Sequence, residues 1–318
     1  MMKLNTAPFP IPINYFGIVL GLAALSLAWR YLPLADFPLL VSEGLFALAT
    51  VIWLSFILAY AKKWICSPQH AKTDLQHPQL GSFVSLMPIT TMLIGMGAKA
   101  YYMPLALLFI GLGIFAQLAF ATYYIAGMWR GTHQAEFTTP VMYLPTVATN
   151  FVSAMALGSL GYQDMGMLFF GAGFFSWLML EPAVLQRLRT LQPVPEPLRL
   201  GIGIQIAPAF VACSAYLAIN GEKLDLFANM LIGYGLLQCL FLLRLLPWVL
   251  KAGFTPAIWA FSFGLASMAK VSLFVYQQAN SALFSTFGFL LFIFANLAIG
   301  MMLLGSMYLL YKRCFFLT

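Results

Sequence analysis

The chain has 318 residues, 62% of them hydrophobic and only 8% charged, at a mean hydropathy of +0.89, where a water-soluble domain carries about 25% charged residues. Water is excluded as its main solvent, and since each crossing of the hydrocarbon layer takes about 20 apolar residues, the length suffices for ten spans and leaves no separate soluble domain. The net charge of +7 is weak support for an anionic substrate and none for nucleic acid, because membrane insertion accounts for most of it.

The N-terminal stretch has one lysine, Lys3, and prolines at Pro8, Pro10 and Pro12, without a short apolar core followed by a small-residue cleavage site. The first apolar segment is therefore expected to remain as a span. Apolar stretches follow at approximately 14–32, 36–61, 80–99, 102–128, 140–160, 164–188, 199–219, 224–246, 255–277 and 282–311. Proline, glycine and charged residues divide them, and the first two are parted only by Leu32-Pro33-Leu34-Ala35-Asp36. The prediction is an all-α polytopic membrane protein with one transmembrane domain over residues 1–318 and ten helices. Cys66, Cys213, Cys239 and Cys314 form no CxxC and no matched pairs, so neither a disulfide framework nor a zinc site is implied, and they read as small apolar residues.

Lysine and arginine collect in cytoplasmic loops. With both termini inside, Lys3, Lys62, Lys63, Lys72, Arg130, Arg187, Arg189, Arg199, Arg244, Lys251, Lys312 and Arg313 fall on the inner side, against Arg30, Lys99 and Lys223 outside. Twelve against three sets the expected orientation. Only Lys270 is left within a span.

A repeat runs along the odd spans. A break recurs at Met87-Pro88, Leu144-Pro145, Ala207-Pro208 and Phe263-Gly264, at spacings of 57, 63 and about 56 residues. Small polar residues accompany it: Thr90 and Thr91, Thr146 and Thr149, Ser214, and Ser267. In the even spans Gly-x-Gly recurs at Gly111/Gly113, Gly171/Gly173 and Gly233/Gly235, spaced 60 and 62. The first pair of spans fits less well, with Gly17 and Gly21 as the break. Proline frees a backbone carbonyl that must meet protein or water rather than acyl chains, so the odd spans belong inside, kinked and lining a central channel. Closely spaced glycines let helices approach, and the phenylalanine-rich even spans form the outer layer.

Ionisable residues inside spans are functional candidates. The third, fifth and seventh spans have none at mid-depth, and His70, His77 and His133 lie in loops. This argues against proton coupling, a metal-dependent enzyme and a serine–histidine hydrolase, and no cofactor or metal is implied. Glu181 and Arg244 fall at similar depth near the inner face and are candidates to pair. Phe263, Ser267 and Lys270 share a face of the ninth span by their i, i+4, i+7 spacing. Lys270 then either faces the lumen and concentrates anions or snorkels to the outer interface. Phe263 either packs or, as the bulky member of the break positions, closes the lumen.

In order along the chain, Pro10-Ile11-Pro12-Ile13-Asn14-Tyr15-Phe16-Gly17, Leu86-Met87-Pro88-Ile89-Thr90-Thr91-Met92, Tyr143-Leu144-Pro145, Ala148-Thr149-Asn150-Phe151, Leu168-Phe169-Phe170-Gly171-Ala172-Gly173, Glu181-Pro182, Ala207-Pro208-Ala209-Phe210, Phe241-Leu242-Leu243-Arg244 and Trp259-Ala260-Phe261-Ser262-Phe263-Gly264-Leu265-Ala266-Ser267-Met268 resemble the bacterial TehA and plant slow anion channel family. The resemblance implies five helical hairpins in quasi-fivefold symmetry, a pore in each protomer of a trimer, a gate at Phe263, and Gly17 at the pore wall. Pro88, Thr91, Pro145, Thr149, Pro208, Ser214, Gly264, Ser267 and Lys270 are the other residues expected to line it. Lys270 departs from the uncharged polar residue of TehA. The expected function is an anion channel for chloride and nitrate in the bacterial inner membrane, the alternative a secondary transporter of dicarboxylates or oxyanions such as tellurite.

Overall fold

Hydrocarbon offers backbone N–H and C=O groups no partner, so a chain this apolar satisfies them within helices. The computed structural model describes residues 11–33, 36–78, 80–131 and 133–316, which contain no strand. Lys3, Pro8, Pro10, Leu34 and Ala35, used in the reading above, lie outside the described residues. The α-helices in chain order are α1 (Phe16–Trp29), α2 (Asp36–Cys66), α3 (Pro68–Gln76), α4 (Leu86–Ala98), α5 (Met103–Met128), α6 (Thr149–Ser159), α7 (Gln163–Thr190), α8 (Ala207–Ile219), α9 (Leu226–Val249), α10 (Ser262–Gln278) and α11 (Ala282–Tyr311). Nine of the ten expected spans are, among the described residues, helices long and apolar enough to cross a membrane, and the first, Ile13–Trp29, is a shorter apolar helix. The chain is a multi-pass α-helical membrane protein. The short helix α3 was not expected; it is tied to α2 by the Lys63–Asp74 ion pair at 2.5 Å.

Burial separates the helices into two layers. In the most apolar stretch of each even span, 22–39% of residues are buried, whereas in the third, fifth, seventh and ninth spans the share is 78–94%; α1 is buried along nearly its whole length. Each inner helix packs on the outer helix that follows it, as α1 with α2, α4 with α5, α6 with α7, α8 with α9 and α10 with α11. The inner five also pack in sequence, α1 on α4, α4 on α6, α6 on α8, α8 on α10, and α10 back on α1, which closes a ring.

Every inner span changes helical type partway. A 3-10 segment precedes the α-helix at Ile13–Tyr15, Leu80–Ser85, Glu196–Ile206 and Pro256–Phe261, and Pro140–Tyr143 is followed by a π turn at Leu144–Ala148. The prolines sit at these junctions, where a missing N–H is least costly. Threonines satisfy the carbonyls beside them: Thr90 donates to Leu86 O at 2.7 Å, and Thr149 donates to Pro145 O at 2.7 Å.

Only the second glycine of each Gly-x-Gly faces the inner helix of its own hairpin. A Cβ would lie 3.0 Å from Pro88 O at Gly113, 2.9 Å from the Phe151 ring at Gly173 and 2.9 Å from the Phe210 ring at Gly235. Gly111, Gly171 and Gly233 face open space.

Candidate functional site

Among the described residues, all five inner spans line each of two partly open cavities. Gly17, Leu86, Val147, Pro208 and Trp259 line the first, of about 120 Å³. Ala24, Leu93, Met155, Ser214 and Ser267 line the second, of about 180 Å³. Along every span the residues of the first cavity precede those of the second, so the two are stacked end to end through the ring. Among the described residues Phe263 alone lines both, and its side chain is 3% exposed.

Phe263 is the second residue of α10, just after the 3-10 segment gives way to α-helix. Its backbone is held from three sides. A Cβ at Gly264 would lie 2.9 Å from Ala207 N, so α10 closes directly on α8, and at Gly21 a Cβ would collide with Ser262, so α1 closes on α10 as well. Ser262 Oγ donates to Trp259 O at 2.7 Å and reaches Gly17 O at 3.1 Å, and the Trp259 indole donates to Ser306 Oγ at 2.8 Å. Small residues beside the ring thus fix where the ring stands.

The two cavities differ in chemistry. The first is almost wholly apolar, with Asn14 and Tyr143 as its polar residues. The second carries Arg30, Lys270, Ser159, Ser214 and Ser267. Arg30 is neutralised there: Nη2 lies 3.2 Å from Glu43 Oε1, and Nε donates to Ser42 Oγ at 3.2 Å. Lys270, 8% exposed, forms no ion pair among the described residues, and its Nζ lies 4.9 Å from the centroid of the Tyr31 ring. Lys270 therefore faces the cavity and does not reach the rim. The Tyr31 hydroxyl donates to Glu222 Oε1 at 3.2 Å.

Of the residues expected at a lumen, Gly17 and Pro208 line the first cavity, Ser214, Ser267 and Lys270 the second, and Phe263 both. Pro88, Thr91, Pro145, Thr149 and Gly264 line neither. Thr91 turns outward, accepting from the Trp53 indole of α2 at 3.3 Å. Pro88 and Gly264 are taken up in contacts between helices, and Thr149 is spent on the Pro145 carbonyl. Gly17 is not required by close approach, since a Cβ there would make ordinary contact with Trp259 at 3.6 Å.

The expected Glu181–Arg244 pair does not form. Arg244 is exposed, and Glu181 accepts from four neutral donors: Tyr143 Oη at 2.7 Å, Trp177 Nε1 at 2.8 Å, Gln205 Nε2 at 2.8 Å and Tyr234 Oη at 2.7 Å. These satisfy a buried carboxylate without a counter-ion. The cysteines divide as well: Cys213 is buried and Cys239 half-buried, whereas Cys66 and Cys314 are exposed. No group of three or more metal-ligating side chains occurs among the described residues.

Sequence reasoning missed most of the lining. Leu20, Leu86, Val147, Phe151 and Val211 carry no polar mark that separates a cavity wall from a lipid-facing or packed residue. Arg30 did carry one, as the lone charge ending the first span.

Residues 10–307 match the SLAC1 family model, described as voltage-dependent anion channel. The chain is 44% identical over 314 residues to the tellurite resistance protein TehA homolog of Haemophilus influenzae, a match covering 98% of this chain and 94% of that one. It is 22% identical to the S-type anion channel SLAH2 of Arabidopsis thaliana, over 85% of this chain and 54% of the plant protein. It is 24% identical to the guard cell S-type anion channel SLAC1 of the same plant, over 84% of this chain and 50% of that protein. The chain thus spans about half the length of these plant relatives.

Proposed function

Because the chain belongs to the SLAC1 family of voltage-dependent anion channels, we propose that it carries small monovalent anions, chloride and nitrate, passively across the bacterial inner membrane through the ring of inner helices. The observation that carries this reading is the position of Phe263 between two stacked cavities. A bulky ring there blocks an ion sterically, and its removal joins the cavities. We assign Gly17, Pro208, Ser214, Ser267 and Lys270 to the conduction path. The helix junctions at Pro88, Thr91, Pro145, Thr149 and Gly264 support its walls. The whole chain acts as one transmembrane unit with both termini cytoplasmic, a quasi-fivefold arrangement of hairpins, and three such protomers in a trimer, each conducting separately.

Past Phe263 and through the almost wholly apolar first cavity, selectivity follows the cost of stripping water from the ion, so nitrate and iodide pass more readily than chloride. The test is to record currents from planar bilayers carrying the wild-type chain and Phe263→Ala, in chloride and then in nitrate. A large ohmic current in the mutant alone, greater in nitrate, is the expected result. Silence from both, with both proteins folded in the membrane, would overturn the reading.

A second reading is a secondary transporter of dicarboxylates or oxyanions such as tellurite, and the tellurite-resistance name of the Haemophilus influenzae relative favours it. Against it, among the described residues no aspartate, glutamate or histidine lines either cavity, which weighs against a carboxylate or histidine proton relay. Saturable flux that follows a proton gradient would select this reading.

A further inference from the structure

The second cavity holds a charge with no direct ion-pair partner, its electrostatic counterpart being Glu222, which the Tyr31 hydroxyl binds. Lys270 is buried, its ammonium rests over the Tyr31 ring, and among the described residues no carboxylate lies within ion-pair distance. The neighbouring Arg30 is already compensated by Glu43. A buried cation without a partner is costly, and an ammonium has three donors, of which an aromatic face satisfies at most one direction.

A second orphan lines the same cavity. Ser214 is 1% exposed, and its Oγ has no hydrogen-bond partner. By contrast, Thr149 and Ser153 each donate to the carbonyl four residues back. Ser267 lines the cavity one turn from Lys270 on α10, with Ser214 facing it from α8. The remaining wall is largely apolar, including Ala24, Leu27, Leu93 and Phe263, and such surroundings strengthen any charge interaction inside.

We infer that this cavity is an equilibrium binding site for one small monovalent anion, held by the Lys270 ammonium and the Ser214 and Ser267 hydroxyls directly beside Phe263. All three groups can donate, which selects for an anion. The single positive charge outside ion-pair contact matches one negative charge, whereas a divalent oxyanion would bring a surplus charge into a largely apolar wall. At about 180 Å³ the cavity exceeds the room one water needs and admits a small ion. The inference deepens the channel reading and rests on it for the site's role in conduction, whereas binding itself is measurable in a closed protein.

The test is chloride-35 NMR line broadening on the purified full chain in nanodiscs, titrated with chloride and competed with nitrate or sulfate. Wild-type protein is expected to show saturable excess broadening that nitrate abolishes and sulfate leaves. Lys270→Met should weaken the site at least tenfold, Ser214→Ala and Ser267→Ala together about threefold, and the exposed-lysine control Lys223→Met not at all. Should Lys270→Met not yield a monodisperse protein, Lys270→Gln and the double serine variant carry the same comparison. Broadening that is absent in wild type, unchanged within twofold in the Lys270 variants, or displaced equally by sulfate overturns the site. Saturable binding without current through Phe263→Ala sinks the channel reading and leaves the site; current without saturable binding does the reverse.

Discussion

At Glu181 four neutral donors from four segments converge on one carboxylate. Tyr143 comes from the 3-10 segment before α6, Trp177 from α7 itself, Gln205 from the segment before α8, and Tyr234 from α9. Removing the acceptor leaves buried donors unpaired at about 1–3 kcal/mol each, not fully additively. Glu181→Ala is therefore expected to lose at least about 3 kcal/mol and to fall well below wild type when thermal unfolding in detergent is followed by size exclusion. Arg244→Ala, at an exposed position, should stay within about 0.5 kcal/mol. Equal losses in the two variants would restore the ion pair expected from sequence. Residues differ in how legible they are. Phe263, Ser267 and Lys270 could be placed on one face because helical spacing fixes direction within an element. The partners of Glu181 could not, because each lies on a different segment and no local pattern encodes that meeting.

At the scale of the element, the repeated hairpin is a packing unit in which one glycine of each pair is indispensable and the other is free. Alanine is a better helix former than glycine by roughly 1 kcal/mol. Gly111→Ala, Gly171→Ala and Gly233→Ala, whose Cβ positions meet nothing, should be neutral or slightly stabilising. Gly173→Ala and Gly235→Ala place a Cβ 2.9 Å from the Phe151 and Phe210 rings, and should each cost about 1–3 kcal/mol by overpacking. Thermal unfolding of the five single variants reads the contrast directly, and an even response across both sets would remove the assigned facing. The Gly-x-Gly spacing was plain in the sequence, since it is a local repeat. Which glycine touches the inner helix was not, since residues two apart on a helix point about 200° apart and both neighbours are apolar.

For the whole molecule, orientation is the property most open to a direct check, and the cysteines already present supply the probes. Cys66 and Cys314 are exposed at the ends of α2 and the C-terminal segment, whereas Cys213 is buried and Cys239 half-buried. With both termini cytoplasmic, a membrane-impermeant maleimide should modify Cys66 and Cys314 in inverted membrane vesicles and neither of them in intact spheroplasts. Labelling from the outer face would reverse the topology derived from lysine and arginine counts. The sequence by itself determined the solvent, the helical class, the number and approximate extent of the apolar helices and their division into repeating pairs. Each of these is a one-dimensional quantity: a run of hydropathy or the spacing of helix breakers. Only the tertiary structure decided which apolar face of each helix meets another helix, a cavity or lipid. It turned Thr91 to Trp53, left Arg244 outside, gathered four donors on Glu181 and set Phe263 between two cavities. The reason is that acyl chains are as apolar as leucine, so in a membrane protein hydrophobicity marks what enters the bilayer and leaves inside and outside of the helix ring to be settled by shape and hydrogen bonding.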